Sequence, residues 1–567
     1  MPVALQAWLA WLTPRNTVVL FLLLVAVNLL APFHADDYFQ QLLLRGDSLL
    51  QRGGDGSLAG LFSFVDDNPQ HRGQMQAYGV LPWFTAGDFY FRFWRPLAEL
   101  SHLLDYRLLP GNAAFAHAHS IAWFLLLAAV VYRLARQTLG EDKKLLWLAL
   151  AIFMLDGQHV ATIHWIANRN ALIAAVFSLA ALSCHIHWRT SGRWHCLPLA
   201  LLLLAASLLA SESALAVGIY LFCYAVLLDR AGPRRGFASL LPYALLVTGW
   251  LLVYRQLDFG VGPAAGLYIN PLHDPGAYLL AVLQRLPVYF AAALLPVPAG
   301  LSWGGGQWLS LLVVTISAVF MLAVLAAGRR VLASDRVLLF WFAGGVLSVL
   351  PVCSTLAQDR LALMQSVGMD LAIALLVYRL SWQPQRYAAM SLPFKSSLPA
   401  LLLVIHLLLS PLHLLAGSWY MTLASHAIKD RALGLAANGE LAGRHLLVLS
   451  MPIGEAVALL GIRRFYYYDL PASFLWLASD EQPLQWQQLA DGRLQVHKPQ
   501  GFASGHEAAF GEPCDGCFYP GRQIRSGAFV LQIEALQERR PASVLLTAPG
   551  NTLWLERYGQ ETLQPLN

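Results

Sequence analysis

Apolar runs of about span length, each closed by a basic or polar break, recur through the first part of the chain. A hydrocarbon core about 30 Å thick takes roughly twenty apolar residues per helix. On that measure eleven runs read as transmembrane helices: 17–32, 114–132, 145–163, 171–186, 197–209, 214–228, 238–253, 308–327, 337–352, 361–380 and 398–415. One further stretch, Ala277 to Val297, is moderately apolar but interrupted by Arg285, Pro287 and Pro296. It reads as helices lying in the interface or re-entering. Two polar segments, 33–112 and 254–306, read as external loops. Beyond residue 416 the periodicity changes to short alternating runs such as His445-Leu446-Leu447-Val448-Leu449 and Ser543-Val544-Leu545-Leu546-Thr547. Turn signals (Asp491-Gly492, Ser526-Gly527, Pro549-Gly550-Asn551) lie between several of them. The expected fold is an all-α polytopic membrane protein of about eleven transmembrane helices over 1–416. A small external C-terminal domain, β-rich or α+β, follows over 417–567.

Composition sharpens this. The chain has 567 residues, 57% of them hydrophobic and 13% charged, and a mean hydropathy of +0.52, whereas a soluble protein carries about a quarter charged residues. The first run lacks a small-x-small cleavage site before Asp36-Asp37 and reads as a retained span, not a signal peptide. Basic residues scatter at helix ends and form no patch for nucleic acid. Placing Arg15 and the clusters at 133–144, 189–193, 229–235, 329–336 and 379–395 in the cytoplasm makes every second connection basic. The N-terminus is then cytoplasmic and the tail external. Counting 277–297 as a span inverts everything after it. An external tail suits a disulfide between Cys514 and Cys517 of Pro-Cys-Asp-Gly-Cys. Cys184, Cys196, Cys223 and Cys353 lie in or beside apolar runs and read as packing residues.

The connections assigned to the outside collect Asp36, Asp37, His34, Arg92, Arg95, His159, His164, Arg169, Glu212, Asp359 and Arg360. Polar groups at membrane depth are costly and therefore functional candidates. A carboxylate takes the proton from an acceptor hydroxyl or amine, or holds a divalent metal. An arginine fork grips a phosphate. Transfer of a sugar from a lipid phosphate needs an activated acceptor and a stabilised leaving group. No Ser-His-Asp elbow, P-loop or dinucleotide turn offers a competing chemistry. His117, His119, His185 and His406 read as satisfied by neighbouring helices.

Five motifs carry a resemblance. They are Asp36-Asp37; Phe93-Trp94-Arg95-Pro96-Leu97 with Leu104-Asp105-Tyr106, Gly111 and His117; Gln158-His159 through Arg169; Ser211-Glu212-Ser213; and Ala357-Gln358-Asp359-Arg360 with Ser366-Val367-Gly368. In this order they resemble the GT-C superfamily of multi-spanning glycosyltransferases. Within it they are most similar to the protein O-mannosyltransferase-like branch, including the transmembrane O-mannosyltransferases that carry tetratricopeptide repeats. The likeness covers about residues 17 to 380. Gln158-His159 stands for that branch's His-Pro, Ser211-Glu212 for Lys-Glu and Ser120 for Asn, and the tail has no tetratricopeptide pattern.

The resemblance implies a hexosyl- or mannosyl-type glycosyltransferase; the basic clusters place its work at the external face, and the compact size without repeats points to the periplasmic side of a bacterial inner membrane. Its donor is a polyprenyl-phosphate sugar and its acceptor a protein, lipid or glycan. Asp36 or Asp37, with Asp37 slightly preferred, is the implied base. If the reaction is metal-dependent, both are implied ligands of Mg2+ or Mn2+. Arg360 is implied to hold the donor phosphate, with Arg95 and Arg169 as second choices. Glu212, His159, His164 and Asp359 are implied to line the sugar or acceptor pocket, and the tail is expected to help bind the acceptor. Two rivals stand beside this reading. A transporter or flippase of lipid-linked sugar calls for charges through the bilayer midplane and inverted repeats, whereas the charges read as clustering on one face. An inactive GT-C-like assembly subunit is opposed by the intact Asp36-Asp37 and Arg360.

Overall fold

The computed structural model describes residues 10–45, 60–304, 306–387, 397–437, 439–452, 454–480, 482–511, 516–559 and 562–566. Helices begin where the sequence supplies caps. Thr13 Oγ1 accepts the Asn16 N–H ahead of Pro14, Asn112 Oδ1 accepts from Phe115, and Asp142 Oδ1 accepts from Lys144 and Leu145. Each cap satisfies donors that a first turn leaves without intrahelical partners.

Among the described residues eight helices are long and apolar enough to cross a membrane: Ala113–Leu139, Ile166–Ser191, Pro233–Gln256, Pro275–Leu294, Gly306–Ser334, Arg336–Ser354, Leu363–Trp382 and Leu398–Gly434. A ninth arises if Lys143–Met154 and Gly157–His164, bent by 42° at their break, count as one span. Pro14–Leu30, Cys196–Leu208 and Glu212–Leu227 are apolar but shorter. All eleven expected runs are thus helical, and the architecture is that of a multi-pass helical membrane protein. The 13-residue helix Cys196–Leu208 rises only ~20 Å, short of the bilayer core.

The stretch expected to lie in the interface is instead one continuous helix, Pro275–Leu294, with the length and composition of a span. Its polar interruptions are spent on protein. Arg285 Nη1 donates to the Cys353 carbonyl at 2.7 Å and Tyr278 Oη to that of Leu350 at 2.7 Å. Pro287 sits inside the helix among buried Val288, Tyr289 and Phe290.

The chain divides into two compact units. One is drawn from Met1–Ala31, Arg95–Gln256 and Ile269–Thr422, the other from Pro32–Trp94, Leu257–Tyr268 and Leu423–Asn567. In the first, Leu363–Trp382 is central, with 89% of its apolar window buried against 6% for Gly306–Ser334. It crosses the helix Arg336–Ser348 backbone to backbone. A Cβ on Gly368 would lie 2.6 Å from Gly345 Cα and 2.5 Å from Tyr220 Oη, so only glycine permits the approach. Tyr220 Oη then donates to the Met364 carbonyl at 2.5 Å. At the other end Arg379 pairs at 2.9 Å with Asp335, which caps Arg336–Ser348.

The second unit carries the strands. A parallel core of His445–Met451, Ser473–Ser479 and Thr552–Arg557 takes Gln564–Pro565 antiparallel at its edge. The helix Glu455–Tyr466 makes the crossover between the first two, as parallel pairing requires. A five-stranded antiparallel sheet spans Gln485 to Thr547, and a small sheet joins Ser63–Val65, Phe91–Arg92 and Gly260–Val261. The β-containing tail is therefore as expected. Cys517 is disulfide-bonded, while Cys514 lies outside the described residues. Cys184, Cys196, Cys223 and Cys353 are free.

Candidate functional site

The Asp-Asp pair opens a helix of the second unit, Asp36–Leu44. The two acids face different surroundings, since consecutive helical side chains diverge by about 100°. Asp37 is fully buried. Its Oδ2 accepts the His34 N–H at 2.9 Å while its own N–H returns to the His34 carbonyl at 2.8 Å, a reciprocal cap at the helix start. Asp36 is half-buried. Ala35, directly before it, holds φ +31°, a strained conformation for a residue with a Cβ. His34 Nδ1 lies 3.1 Å from Ser425 Oγ, and burial lowers the pKa of its ring. The helix is seated on Glu455–Tyr466 of the same unit. A Cβ on Gly461 would fall 2.8 Å from Tyr38 Cβ, and the Phe33 and Tyr38 rings meet Phe465 edge-on. Among the described residues no third His, Cys, Asp or Glu joins Asp36 and Asp37.

The remaining candidates belong to the first unit, where the later motifs meet in pairs. Arg95 reaches Glu212 Oε2 through Nε (2.8 Å) and Nη2 (2.7 Å), and Tyr254 Oη donates to Oε1 at 3.1 Å. Arg169 is wholly buried. It pairs with Asp105 and donates to Ser120 Oγ, Ser101 Oγ and the Ala116 carbonyl, with His119 also on Asp105 at 2.6 Å. With its fork committed in this way, Arg169 braces helices and is not placed to bind a donor phosphate, which corrects the second-choice role expected for it. Arg360 is half-buried, 4.6 Å over the Trp165 ring, with Nε donating to Gln358 Oε1 at 2.6 Å. Stacking and the Gln358 contact hold the guanidinium flat.

Asp359, beside it, accepts the Ala299 N–H at 2.8 Å. Withdrawal from water outweighs that hydrogen bond, and with the Asp156 carboxylate nearby the group is pushed up to about 6. His164 is buried, with Nε2 3.3 Å from Thr422 Oγ1 and its ring 5.2 Å from that of His117. His159, also buried, has Nε2 3.0 Å from the Phe153 carbonyl. It groups with Asp156 and Asp370, their ligand atoms all within 4.8 Å of one another.

Asp105, Asp156 and Asp370 were not among the sequence candidates. Asp370 is the one acid in Leu363–Trp382 and is buried in mid-helix. This corrects the expectation that charge gathers on one face alone. A lone acid inside an apolar run was the signal available for it.

No family model and no curated protein matches the chain. Among solved structures, the archaeal oligosaccharyltransferase AglB from Archaeoglobus fulgidus, in complex with an inhibitory peptide and a dolichol-phosphate, gives a TM-score of 0.36 at 12% identity. The match covers 76% of this chain and 62% of that one, and a likeness of that size bears no functional argument.

Proposed function

We propose that the protein is a membrane glycosyltransferase that moves a sugar from a polyprenyl-phosphate donor to a hydroxyl or amine acceptor on the external side of the membrane. The observation that supports this reading is the pairing of distant motifs within the first unit. Arg95 meets Glu212, Arg169 meets Asp105, and Arg360 meets Trp165. Segments that resemble one superfamily in sequence thus meet in space pair by pair.

In this reading Asp36 is the base. Asp37 spends a carboxylate oxygen on the cap and positions the helix. The acceptor oxygen or nitrogen forms its bond to the anomeric carbon and gives its proton to Asp36. The bond from that carbon to the phosphate oxygen breaks, its electron pair staying on the phosphate. Arg360 steadies the charge that builds there. Arg95 is held by Glu212, whose other oxygen accepts from Tyr254, and in this reading Glu212, His159, His164 and Asp359 line the sugar or acceptor pocket. Membrane location in a bacterial inner membrane belongs to the same proposal.

Buried Asp370 is the one observation that favours the rival reading as a carrier of lipid-linked sugar. Transfer of label from radiolabelled polyprenyl-phosphate sugars in membranes separates the two. Label passing to protein, lipid or glycan, and lost in Asp36→Asn and Arg360→Ala at equal expression, is the expected result. A loss of about 10²-fold or more fits removal of a general base. No transfer from any donor, with label instead crossing the bilayer, would replace the transferase by the carrier.

A further inference from the structure

Asp156 sits at the break between Lys143–Met154 and Gly157–His164. Its Oδ1 accepts the Gln158 N–H at 3.0 Å and the Ser410 hydroxyl at 3.1 Å, and Ser410 Oγ in turn accepts the Gly157 N–H at 2.8 Å. The carboxylate is therefore aimed by two groups, one of them itself held by the Gly157 N–H. One turn on, His159 directs Nε2 at the Phe153 carbonyl, which fixes that nitrogen as the protonated one and leaves Nδ1 as a lone-pair donor. A ring nitrogen anchored on a backbone carbonyl is the usual outer support of a metal-binding imidazole. The third member, Asp370, comes from the central helix and is 1% exposed. Its Oδ2 has no hydrogen-bond partner among the described residues.

Neither Asp156 nor Asp370 has an arginine or lysine partner among the described residues. Two carboxylates and an imidazole converge within 4.8 Å, enclosed by apolar helices. An uncompensated acid in such a place is strongly disfavoured, and a cation supplies what the protein does not.

We propose that Asp156, His159 and Asp370 bind one divalent first-row cation, which pins the bend of the broken span to the central helix. Two carboxylate oxygens and one imidazole nitrogen suit Mn2+ or Zn2+ better than the all-oxygen preference of Mg2+. Water would complete the shell, since three protein ligands leave a position open. The role is structural. The site shares no residue with Asp36-Asp37 and stands whether or not the chain transfers sugar.

The test uses the full chain purified in detergent, with elemental analysis, then chelation and re-addition of Mn2+ or Zn2+ while thermal unfolding is followed. The expected result is near one equivalent of metal per chain and a melting temperature that falls on chelation and returns with the ion. Bound metal should drop about tenfold or more in Asp370→Asn and in His159→Gln, yet persist in the double variant Asp36→Asn/Asp37→Asn. Absence of metal from the parent, no shift on adding either ion, and an Asp370→Asn variant at least as stable as the parent would overturn the proposal in favour of two carboxylates sharing a proton. Metal retained in Asp370→Asn but lost in the Asp36/Asp37 double variant would overturn it too, by locating the ion at the other pair.

Discussion

At the scale of single residues, partners decide what each candidate can do. Asp36 and Asp37 are identical in sequence terms, and the helix start separates them, one closing a cap and the other left half-buried. Arg95, Arg169 and Arg360 were equally legible as cations. Arg169 proved to be braced by Asp105, whose place in a Leu-Asp-Tyr run carries no sign of its partner sixty-four residues on. Asp359 offers a prediction of its own. Its carboxyl is pushed up to about 6, first by loss of water and then by Asp156, so the fold favours the protonated form. That contribution is complete below the ordinary value of 3.8 and is lost as the pH climbs through 6. Asp359→Asn keeps an oxygen for the Ala299 N–H and carries no charge. Its melting temperature should equal the parent's near pH 4 and exceed it at pH 8, by the equivalent of on the order of 2 kcal/mol. A pH-independent difference would show that the group is solvated in the folded state.

Elements were mostly legible, because hydropathy reports what a bilayer demands. All eleven expected runs are helices. The one that departs from its sequence reading is Pro275–Leu294, a continuous helix of span length where a proline and an arginine read as breakers. In water they would be. Inside a bundle the arginine finds the Cys353 carbonyl, and Pro287 is enclosed by neighbours. What hydropathy leaves out is how helices touch. Gly345 and Gly368 look like ordinary small residues of two apolar runs, yet their backbones are in contact. Gly368→Ala should wedge that crossing, displacing Tyr220 from the Met364 carbonyl, and destabilise the chain by roughly 1–3 kcal/mol. Thermal unfolding in detergent reads this, with Gly328→Ala, where a Cβ meets nothing closer than 3.9 Å, as the matched control. Equal melting temperatures would mean that the crossing adjusts freely.

For the whole molecule, sequence order and spatial grouping diverge. The segments Pro32–Trp94 and Leu257–Tyr268 share a unit with the tail from Leu423 onward, and no local pattern announces such a partnership. The strand pairs Phe91↔Val261 and the aromatic cluster around Phe465 are its physical content. A chain cut after Gly434 should therefore lose more than acceptor affinity. Without Glu455–Tyr466 the rings of Phe33 and Tyr38 have no seat, and limited proteolysis in membranes should cut within 60–94 at least tenfold faster than in the parent. Unchanged protection of that segment would show that it folds without the tail.

The seating of Tyr38 on Gly461 also sets a clock. Synthesis at 5–20 residues per second separates the two by roughly 20–80 s. During that interval the Asp-Asp helix has its aromatic face uncovered. A newly made chain is therefore at its most vulnerable to misassembly until Glu455–Tyr466 has emerged.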